Sequence, residues 1–281
     1  MADDFELLQL SYRHPAFQRQ LISSLRQCGF ALVVDHPLSL TRVARIYREW
    51  HAFFTRGGAQ AFAMDASGQD GYFSVGEAEH AKGHTQRDYK EYFQFYPWGR
   101  CPESLRADLH NYFEEAVRVG TKLLSDVAML LPDNVRAGLS EPLPRMVQGS
   151  HTSMLRVTHY PPVQADTGVM RAAPHEDINL LTLLPAADGP GLELRLQTGE
   201  WLEVPEYPEQ LIVNVGDMLQ EATEGYLPSA THRVVTPAAQ EGRQSRMSLP
   251  LFLHPRPEVL LSARYTAESY LLQRLSELGV A

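Results

Sequence analysis

Two short segments of the chain carry side chains that could bind a metal ion. His175 and Asp177 stand two residues apart, at the start of an apolar run that predicts a strand. Residues i and i+2 of a strand point to the same face, so this spacing aims an imidazole and a carboxylate at one point. His232 lies in a later short strand, which a barrel could return beside the first. Two histidines and one carboxylate on a common face form the facial triad of a mononuclear non-haem Fe(II) site, which leaves positions open for a co-substrate and O2.

A second pair of residues could hold the far end of an organic acid. Arg246 and Ser248 stand on one face of another apolar strand. An arginine offers a planar fork that binds a carboxylate through two hydrogen bonds, and a serine hydroxyl can add a third. 2-Oxoglutarate requires a metal that its 2-oxo acid end can chelate and hydrogen-bond donors for its distal carboxylate. Arg246 and Ser248 could supply those donors. An exposed strand arginine would alternate in the same way, so the spacing alone leaves both interpretations open.

The elements that must position these side chains begin with a helical first half. Apolar residues recur every three or four positions and predict helices over 15–28, 40–54 and 103–130. Short apolar or aromatic runs predict strands over 30–34 and 89–96. The first half therefore supplies packing elements rather than the candidate ligands.

The second half of the chain changes character. Short apolar or alternating runs are separated by Pro and Gly, a pattern typical of an all-β sandwich or barrel. These runs cover 154–160, 178–184, 192–196, 201–204, 211–215, 231–235 and 247–253, and a closing helix is predicted over 265–278. No flexible linker marks the change near residue 145. We therefore expect one domain over 1–281, mainly helical over 1–145 and mainly β over 146–281.

Composition excludes several classes of protein. Among 281 residues, 44% are hydrophobic and 21% are charged, which excludes wholesale disorder. A net charge of −9 disfavours nucleic acid as a partner. Only Cys28 and Cys101 are available, too few for a disulfide framework or a cysteine-rich zinc site, and they fit a reducing compartment. No signal peptide or membrane-spanning run stands out, so we expect a cytoplasmic protein that binds neither nucleic acid nor membrane.

The second half of the chain resembles the 2-oxoglutarate/Fe(II)-dependent dioxygenases of the isopenicillin N synthase-like family, and the first half matches more loosely. The matching segments are His175-Glu176-Asp177, Leu181-Thr182-Leu183-Leu184, Gly191-Leu192-Glu193-Leu194, Gly199-Glu200-Trp201, Val213-Asn214-Val215-Gly216-Asp217, Thr231-His232-Arg233-Val234 and Arg246-Met247-Ser248. The resemblance implies an α+β fold. Its core is a double-stranded β-helix, or jelly roll, on which N-terminal helices and a C-terminal helix pack.

The resemblance also implies roles for the candidate residues. It implies that His175, Asp177 and His232 bind Fe(II), and that Arg246 and Ser248 bind the distal carboxylate of 2-oxoglutarate. O2 is the further co-substrate. The implied reaction converts 2-oxoglutarate to succinate and CO2 while an unactivated C–H bond of a small molecule is oxidised, most often to an alcohol.

A further family segment supplies two more co-substrate candidates. It appears here as Thr158-His159-Tyr160-Pro161. Tyr160 matches a tyrosine that assists co-substrate binding. Thr158 stands where asparagine is usual; its hydroxyl can donate one hydrogen bond but cannot offer both functions of an amide.

The resemblance implies a substrate pocket between the mouth of the barrel, the loop over 70–95 and the C-terminal helix. Arg156 shares a strand face with Thr158 if that strand is regular, and it could meet an anionic substrate group. Phe252 and Tyr72 are candidate pocket walls. Glu176 replaces a usual Thr or Ser; strand alternation points it away from iron, whereas a kink would turn it toward a cationic substrate group.

Three functions compete on the sequence alone. The first is a 2-oxoglutarate-dependent hydroxylase acting on a small metabolite, such as an amino acid or a natural-product intermediate. The second is an Fe(II) oxidase that uses O2 without 2-oxoglutarate for an oxidative cyclisation. The third is a non-catalytic jelly-roll binding module, which would have no need for iron ligands. The oligomeric state is left open.

Overall fold

The computed structural model describes residues 6–64, 69–76, 88–163, 170–236 and 244–277. The central part of the loop over 70–95, residues 77–87, lies outside the described residues.

Helices form most of the first half and close the second. Within the described residues, the α-helices are α1 (Phe17–Cys28), α2 (Leu40–Thr55), α3 (Glu103–Leu130), α4 (Asp133–Gly138), α5 (Leu143–Val147), α6 (Asp217–Ala222) and α7 (Ala267–Glu277). A short 3-10 helix covers Ala59–Phe62. The predicted helices over 15–28, 40–54, 103–130 and 265–278 are confirmed as α1, α2, α3 and α7.

The strands form two sheets that face each other. The described strands are β1 (Gln9–Ser11), β2 (Phe30–Val34), β3 (Gly71–Phe73), β4 (Glu91–Phe95), β5 (Met154–Tyr160), β6 (Ala172–His175), β7 (Leu181–Pro185), β8 (Leu192–Arg195), β9 (Trp201–Glu203), β10 (Leu211–Val215), β11 (His232–Val234), β12 (Arg246–Ser248) and β13 (Leu251–Leu253). The larger sheet has the order β1-β2-β10-β7-β13-β5-β4-β3, and β12 also pairs with β5. The smaller sheet has the order β6-β11-β8-β9.

The helices cover the larger sheet on one side. Helix α3 packs closely on this sheet at Gly120, where an added Cβ would come within 2.8 Å of a methyl group of Leu253 and 3.1 Å of one of Leu183. The glycine therefore lets the helix backbone approach β13 and β7. Two large hydrophobic clusters result, one between the helices and the larger sheet and one between the two sheets, and Phe73 and Tyr92 form a third, small one. This is the expected jelly-roll core with helices packed on it.

The turn after α1 needs a glycine. Gly29 has φ 72°, and its N–H donates to the carbonyl of Leu25 over 2.8 Å. A residue in this left-handed conformation closes many helices, and glycine adopts it without steric cost. The chain then enters β2 directly, as the sequence predicted.

Two details of the predicted strands are wrong. The run over 247–253 forms two strands, β12 and β13, because Pro250 between them has no N–H to donate to a ladder. The run over 178–184 begins as a strand only at Leu181. Strands β1 to β4 of the first half join the larger sheet, and we propose on that basis that the chain is one domain.

Candidate active site

Two neighbouring strands of the smaller sheet bring the two candidate histidines together. Strands β6 and β11 are antiparallel, and His175 and His232 are direct partners in the ladder. Their ring centroids are 4.4 Å apart. Asp177 Oδ1 lies 3.9 Å from Nε2 of His175 and 3.8 Å from Nε2 of His232. Each residue thus offers one ligand atom within 4.8 Å of the others.

Backbone carbonyls fix the orientation of both imidazole rings. Nδ1 of His175 lies 2.7 Å from the carbonyl of Ala173, and Nδ1 of His232 lies 3.0 Å from that of Ala230. Since a carbonyl can only accept, each Nδ1 carries the proton and each Nε2 keeps its lone pair. Burial, followed by repulsion from His232, lowers the pKa of His175 to about 4. The ring of His175 is therefore neutral at neutral pH, as metal ligation requires.

Hydrogen bonds leave one oxygen of Asp177 available. The hydroxyl of Thr182 donates to Oδ2 over 2.5 Å, and Nδ2 of Asn214 donates to the same oxygen over 2.8 Å. Asn179 Nδ2 donates to the Thr182 hydroxyl over 2.8 Å and so orients it. Burial raises the pKa of Asp177, but the imidazoles of His232 and His175 and these two hydrogen bonds lower it below the usual value. The carboxylate is held ionised with Oδ1 directed at the histidines.

The donor set fits ferrous iron. Two imidazoles and one carboxylate are the ligand types of a mononuclear non-haem Fe(II) site. Among the residues that the structure describes, this is the one group of three or more potential ligands close enough to share an ion.

The loop that carries Asp177 is held by a helix rather than by a strand ladder. The N–H groups of Gly216, Asp217 and Met218 donate to the carbonyls of Leu180, Asp177 and Asn179 over 3.1, 2.8 and 3.1 Å. The sequence-based expectation that His175 and Asp177 share one face of a single strand is therefore wrong. His175 ends β6, and Asp177 lies in the loop that the start of α6 holds.

The candidate co-substrate residues lie on two paired strands. In the antiparallel pair β12–β5, Arg246 is the partner of Tyr160 and Ser248 is the partner of Thr158. Directly paired residues share a face, so the four side chains stand together. The guanidinium carbon of Arg246 lies 5.2 Å from the centroid of the Tyr160 ring.

The guanidinium of Arg246 is buried. The side chain is 2% exposed, Nε donates to the carbonyl of Gly189 over 2.6 Å, and Nη2 lies 3.7 Å from Glu206 Oε1. A buried cation with one long ion pair retains donor capacity for an incoming carboxylate. The interpretation of Arg246 as an exposed strand arginine is excluded.

Arg156 faces aromatic rings in the same barrel. Its guanidinium carbon lies 4.3 Å from the ring centroid of Tyr92 and 5.4 Å from that of Phe252. Nη2 donates to Oε1 of Gln94 over 3.2 Å. Arg156 and Phe252 thus form one wall, to which Tyr92 and Gln94 also belong.

Tyr72, the other candidate for the pocket wall, lies outside the wall formed by Arg156 and Phe252. Its hydroxyl donates to Oε2 of Glu91 over 2.5 Å, and its ring centroid lies 6.1 Å from that of Phe54 in α2. Its neighbour Phe73 stacks on Tyr92, with centroids 4.7 Å apart. Because neighbours in a strand point to opposite faces, Phe73 rather than Tyr72 joins the wall of Arg156.

Glu176 contacts a residue beside the second histidine. Its Oε1 accepts a hydrogen bond from the Thr231 hydroxyl over 2.9 Å. The sequence reasoning gave no role to Thr231, Thr182 or Asn214. Asn214 and Thr182 lie in segments that match the family, but no pattern in one sequence shows which carboxylate they contact.

Comparisons with known proteins place the chain in a family. Residues 151–255 match the model of the 2OG-Fe(II) oxygenase superfamily, and residues 4–112 match the model described as non-haem dioxygenase in morphine synthesis N-terminal. The chain is 31% identical over 252 residues to the proline hydroxylase buaE of Petromyces alliaceus, covering 80% of this chain and 76% of that protein.

Solved structures agree with these matches. A Shewanella oneidensis protein, whose oxygenase assignment is itself provisional, is 45% identical with a TM-score of 0.89, over 99% of this chain and 100% of that one. A full-length Neurospora crassa protein, solved in complex with alpha-KG, shares the fold at 19% identity and a TM-score of 0.78, over 98% and 97% of the two chains. No helix in the described part of the chain combines the length and apolar character needed to cross a membrane. The chain therefore belongs to the 2OG-Fe(II) oxygenase superfamily, as a non-haem dioxygenase that uses Fe(II), 2-oxoglutarate and O2.

Proposed function

We propose that this dioxygenase hydroxylates an unactivated C–H bond of a small organic substrate that carries an anionic group. The observation that carries the proposal is the convergence of His175, Asp177 and His232, whose ligand atoms lie within 4.8 Å of one another. The relatives support a small substrate, since they include a proline hydroxylase and a scopoletin 8-hydroxylase.

The three converging residues are the proposed iron ligands. His175 and His232 offer Nε2, and Asp177 offers Oδ1, because their other polar atoms are taken by Ala173, Ala230 and the pair Thr182 and Asn214. When bound, Fe(II) supplies the redox chemistry by which O2 and 2-oxoglutarate, which leaves as succinate and CO2, oxidise the substrate.

Arg246 and Ser248 are the proposed partners of the distal carboxylate of 2-oxoglutarate. A fixed, buried guanidinium favours a dicarboxylate over a monocarboxylate. If the single carboxylate of a monocarboxylate binds the metal, no second carboxylate remains to give the guanidinium a full counter-charge. Tyr160 and Thr158 stand opposite these residues in the paired strand and can add hydroxyl donors. Together they hold the co-substrate so that its 2-oxo acid end reaches the metal.

The wall formed by Arg156, Phe252, Tyr92 and Phe73 is the proposed substrate contact. A guanidinium held between two aromatic rings can pair with a carboxylate or another anion, while the rings exclude water and pack on apolar parts of the substrate. Amino acids and acidic natural-product intermediates have this combination of features.

The test is a screen of small carboxylic acids for substrate-dependent succinate release. The expected result is a compound that raises succinate formation and gains one oxygen atom, with one succinate formed for each hydroxylated product. A compound that is oxidised with O2 while 2-oxoglutarate is neither required nor consumed would contradict the hydroxylase proposal and favour an oxidative cyclisation. The Asp177→Ala variant controls for contaminating activity.

A further inference from the structure

The C-terminal helix is tied to the loop that carries Asp177. Arg274 of α7 lies with Nη2 3.1 Å from Oδ2 of Asp217, the first residue of α6. The backbone N–H of Asp217 in turn donates to the carbonyl of Asp177 over 2.8 Å. One ion pair and one hydrogen bond therefore connect α7 to the backbone of a proposed iron ligand.

The acidic member of this ion pair is shielded from water. The side chain of Asp217 is 3% exposed, and that of Arg274 is 21% exposed. A buried carboxylate that loses its cation is left uncompensated, so the pair is far more sensitive to substitution than a surface ion pair. Displacing α7 would therefore disturb the start of α6, and with it the loop that α6 holds.

A second connection joins the two segments that carry the histidines. Glu176 stands between His175 and Asp177 in the sequence, and Thr231 immediately precedes His232. The hydrogen bond from Thr231 Oγ1 to Glu176 Oε1 thus crosses from one ligand-bearing segment to the other. It restrains the distance between the two parts of the proposed iron site.

The two connections meet at the segment Glu176–Asp177. The Thr231 hydroxyl donates to the side chain of Glu176, and the N–H of Asp217 donates to the carbonyl of Asp177, the next residue along the chain. Contacts therefore run without a break from Arg274 in α7 to both ligand-bearing segments.

We propose that helix α7 is a positioning element of the iron site, so that docking of α7 and occupancy of the metal site stabilise each other. The helix acts through the Arg274–Asp217 ion pair and the hydrogen bond from Asp217 to the Asp177 carbonyl, and the Thr231–Glu176 hydrogen bond extends the effect to the segment of His232. The inference rests on the proposed ligand roles of His175, Asp177 and His232. Coupling between two sites is reciprocal: if the helix tightens metal binding, the metal must stabilise the docked helix by the same factor.

The experiment measures both directions of this coupling in the full chain. Co(II) serves as a redox-stable probe, and its dissociation constant is measured for the wild type, Arg274→Gln and the control Arg264→Gln. Arg264 is an exposed residue just before α7 that bonds Tyr265 and has no described contact with Asp217. Hydrogen exchange of the amides of residues 267–277 is followed with and without Co(II).

The expected result is a rise of about tenfold in the Co(II) dissociation constant of Arg274→Gln, the scale on which residues that support metal ligands act. Co(II) should slow amide exchange in α7 of the wild type and of Arg264→Gln, and this protection should be smaller in Arg274→Gln. Arg274→Lys should recover part of both effects. A purely structural arginine would instead lower the melting temperature and leave the metal dependence unchanged.

Two outcomes overturn the inference: an Arg274→Gln protein with the wild-type dissociation constant, or α7 amides that exchange at one rate with and without Co(II). If Arg274→Gln does not fold, hydrogen exchange of the wild type decides: Co(II) that slows amide exchange in α7 supports the inference, and equal exchange rates with and without Co(II) refute it. A wild type that binds no Co(II) at all would instead overturn the proposed function, and the inference with it.

Discussion

At the scale of single residues, the oxygen atoms of Asp177 are divided between two tasks. Oδ2 takes hydrogen bonds from Thr182 and Asn214, and Oδ1 lies within 4 Å of both imidazoles. The His-x-Asp spacing, the later histidine and the family resemblance together predicted which three side chains meet. The hydrogen-bond donors that orient the carboxylate could not be predicted, because they come from strands β7 and β10, whose pairing the sequence does not state.

Removing one of these donors should weaken the metal site without removing a ligand. We expect Asn214→Ala to raise the dissociation constant for Fe(II) by about tenfold, because the Asp177 carboxylate then keeps only the hydrogen bond from Thr182 and can rotate more freely. Anaerobic metal titration measures this. Gln197→Ala, which removes an exposed amide bonded to the backbone of Gln27, is the control and should bind as the wild type does. Equal affinity of Asn214→Ala and wild type would show that this hydrogen bond does not support the ligand.

Arg156 should discriminate substrate from co-substrate. We expect Arg156→Ala to raise the KM for the substrate by about tenfold or more, since one charge-assisted contact is lost, while the dissociation constant of 2-oxoglutarate changes little. Initial-rate kinetics give the first value and anaerobic titration gives the second. Arg156→Lys, which keeps the charge but not the planar fork, should lie in between. Loss of both affinities to the same degree would refute the assignment.

At the scale of elements, periodicity predicted the long helices and most strands, because their apolar faces repeat over several turns or alternations. It failed where tertiary contacts replace a regular ladder. The loop after β6 takes its hydrogen bonds from the start of α6, so side chains no longer alternate between two strand faces beyond His175. The short strands β1 and β3 were missed because three residues are too few to show a period.

Gly216 is the element-scale test, since it lies where α6 meets this loop. A Cβ at this position would collide with the side-chain and backbone oxygens of Asn179 and lie 2.8 Å from the carbonyl oxygen of Asp177. We expect Gly216→Ala to lower the free energy of unfolding by about 2 kcal/mol, as overpacking does, and to weaken metal binding. Urea denaturation and metal titration test the two effects.

The matched control is Gly138→Ala, because no atom lies within 4 Å of a Cβ at that helical position. Alanine favours helix, so this variant should be as stable as the wild type or slightly more stable. If Gly216→Ala behaved in the same way, the close contact between α6 and the loop would not hold the site.

At the scale of the whole molecule, the largely apolar interior formed by two sheets and a layer of helices also contains buried polar side chains, histidines among them. The fold class and the helix-then-strand order could be read from the sequence, whereas the depth of each polar side chain could not. His254 illustrates this, since it follows β13 as one histidine among eleven, yet its side chain is 8% exposed.

Buried neutral histidines should make stability fall in acid. Burial lowers the pKa of His254 to about 4, below the ordinary value of 6.5, although hydrogen bonds to Phe252 and Ile178 act in the opposite direction. Between these two pH values the unfolded chain binds a proton that the folded chain does not. The free energy of unfolding should therefore fall as pH drops from 6.5 toward 4, by about 1.4 kcal/mol per pH unit for such a group.

Urea denaturation at several pH values between 7 and 4 measures this dependence. His254→Gln removes the titrating group and should give a shallower decline than the wild type. His14→Gln, at an exposed position, is the control and should leave the slope unchanged. An identical slope in wild type and His254→Gln would mean that His254 is not held neutral by the fold.

The most direct measurement of the central claim is an anaerobic titration of the purified protein with Fe(II) and then 2-oxoglutarate, followed by visible absorption. The wild type should develop the weak charge-transfer band of a 2-oxo acid chelated to ferrous iron. Asp177→Ala and His232→Ala should show no band, and Arg246→Gln should require more 2-oxoglutarate to reach it. A wild type without the band, or an Asp177→Ala protein with the full band, would contradict the proposed site.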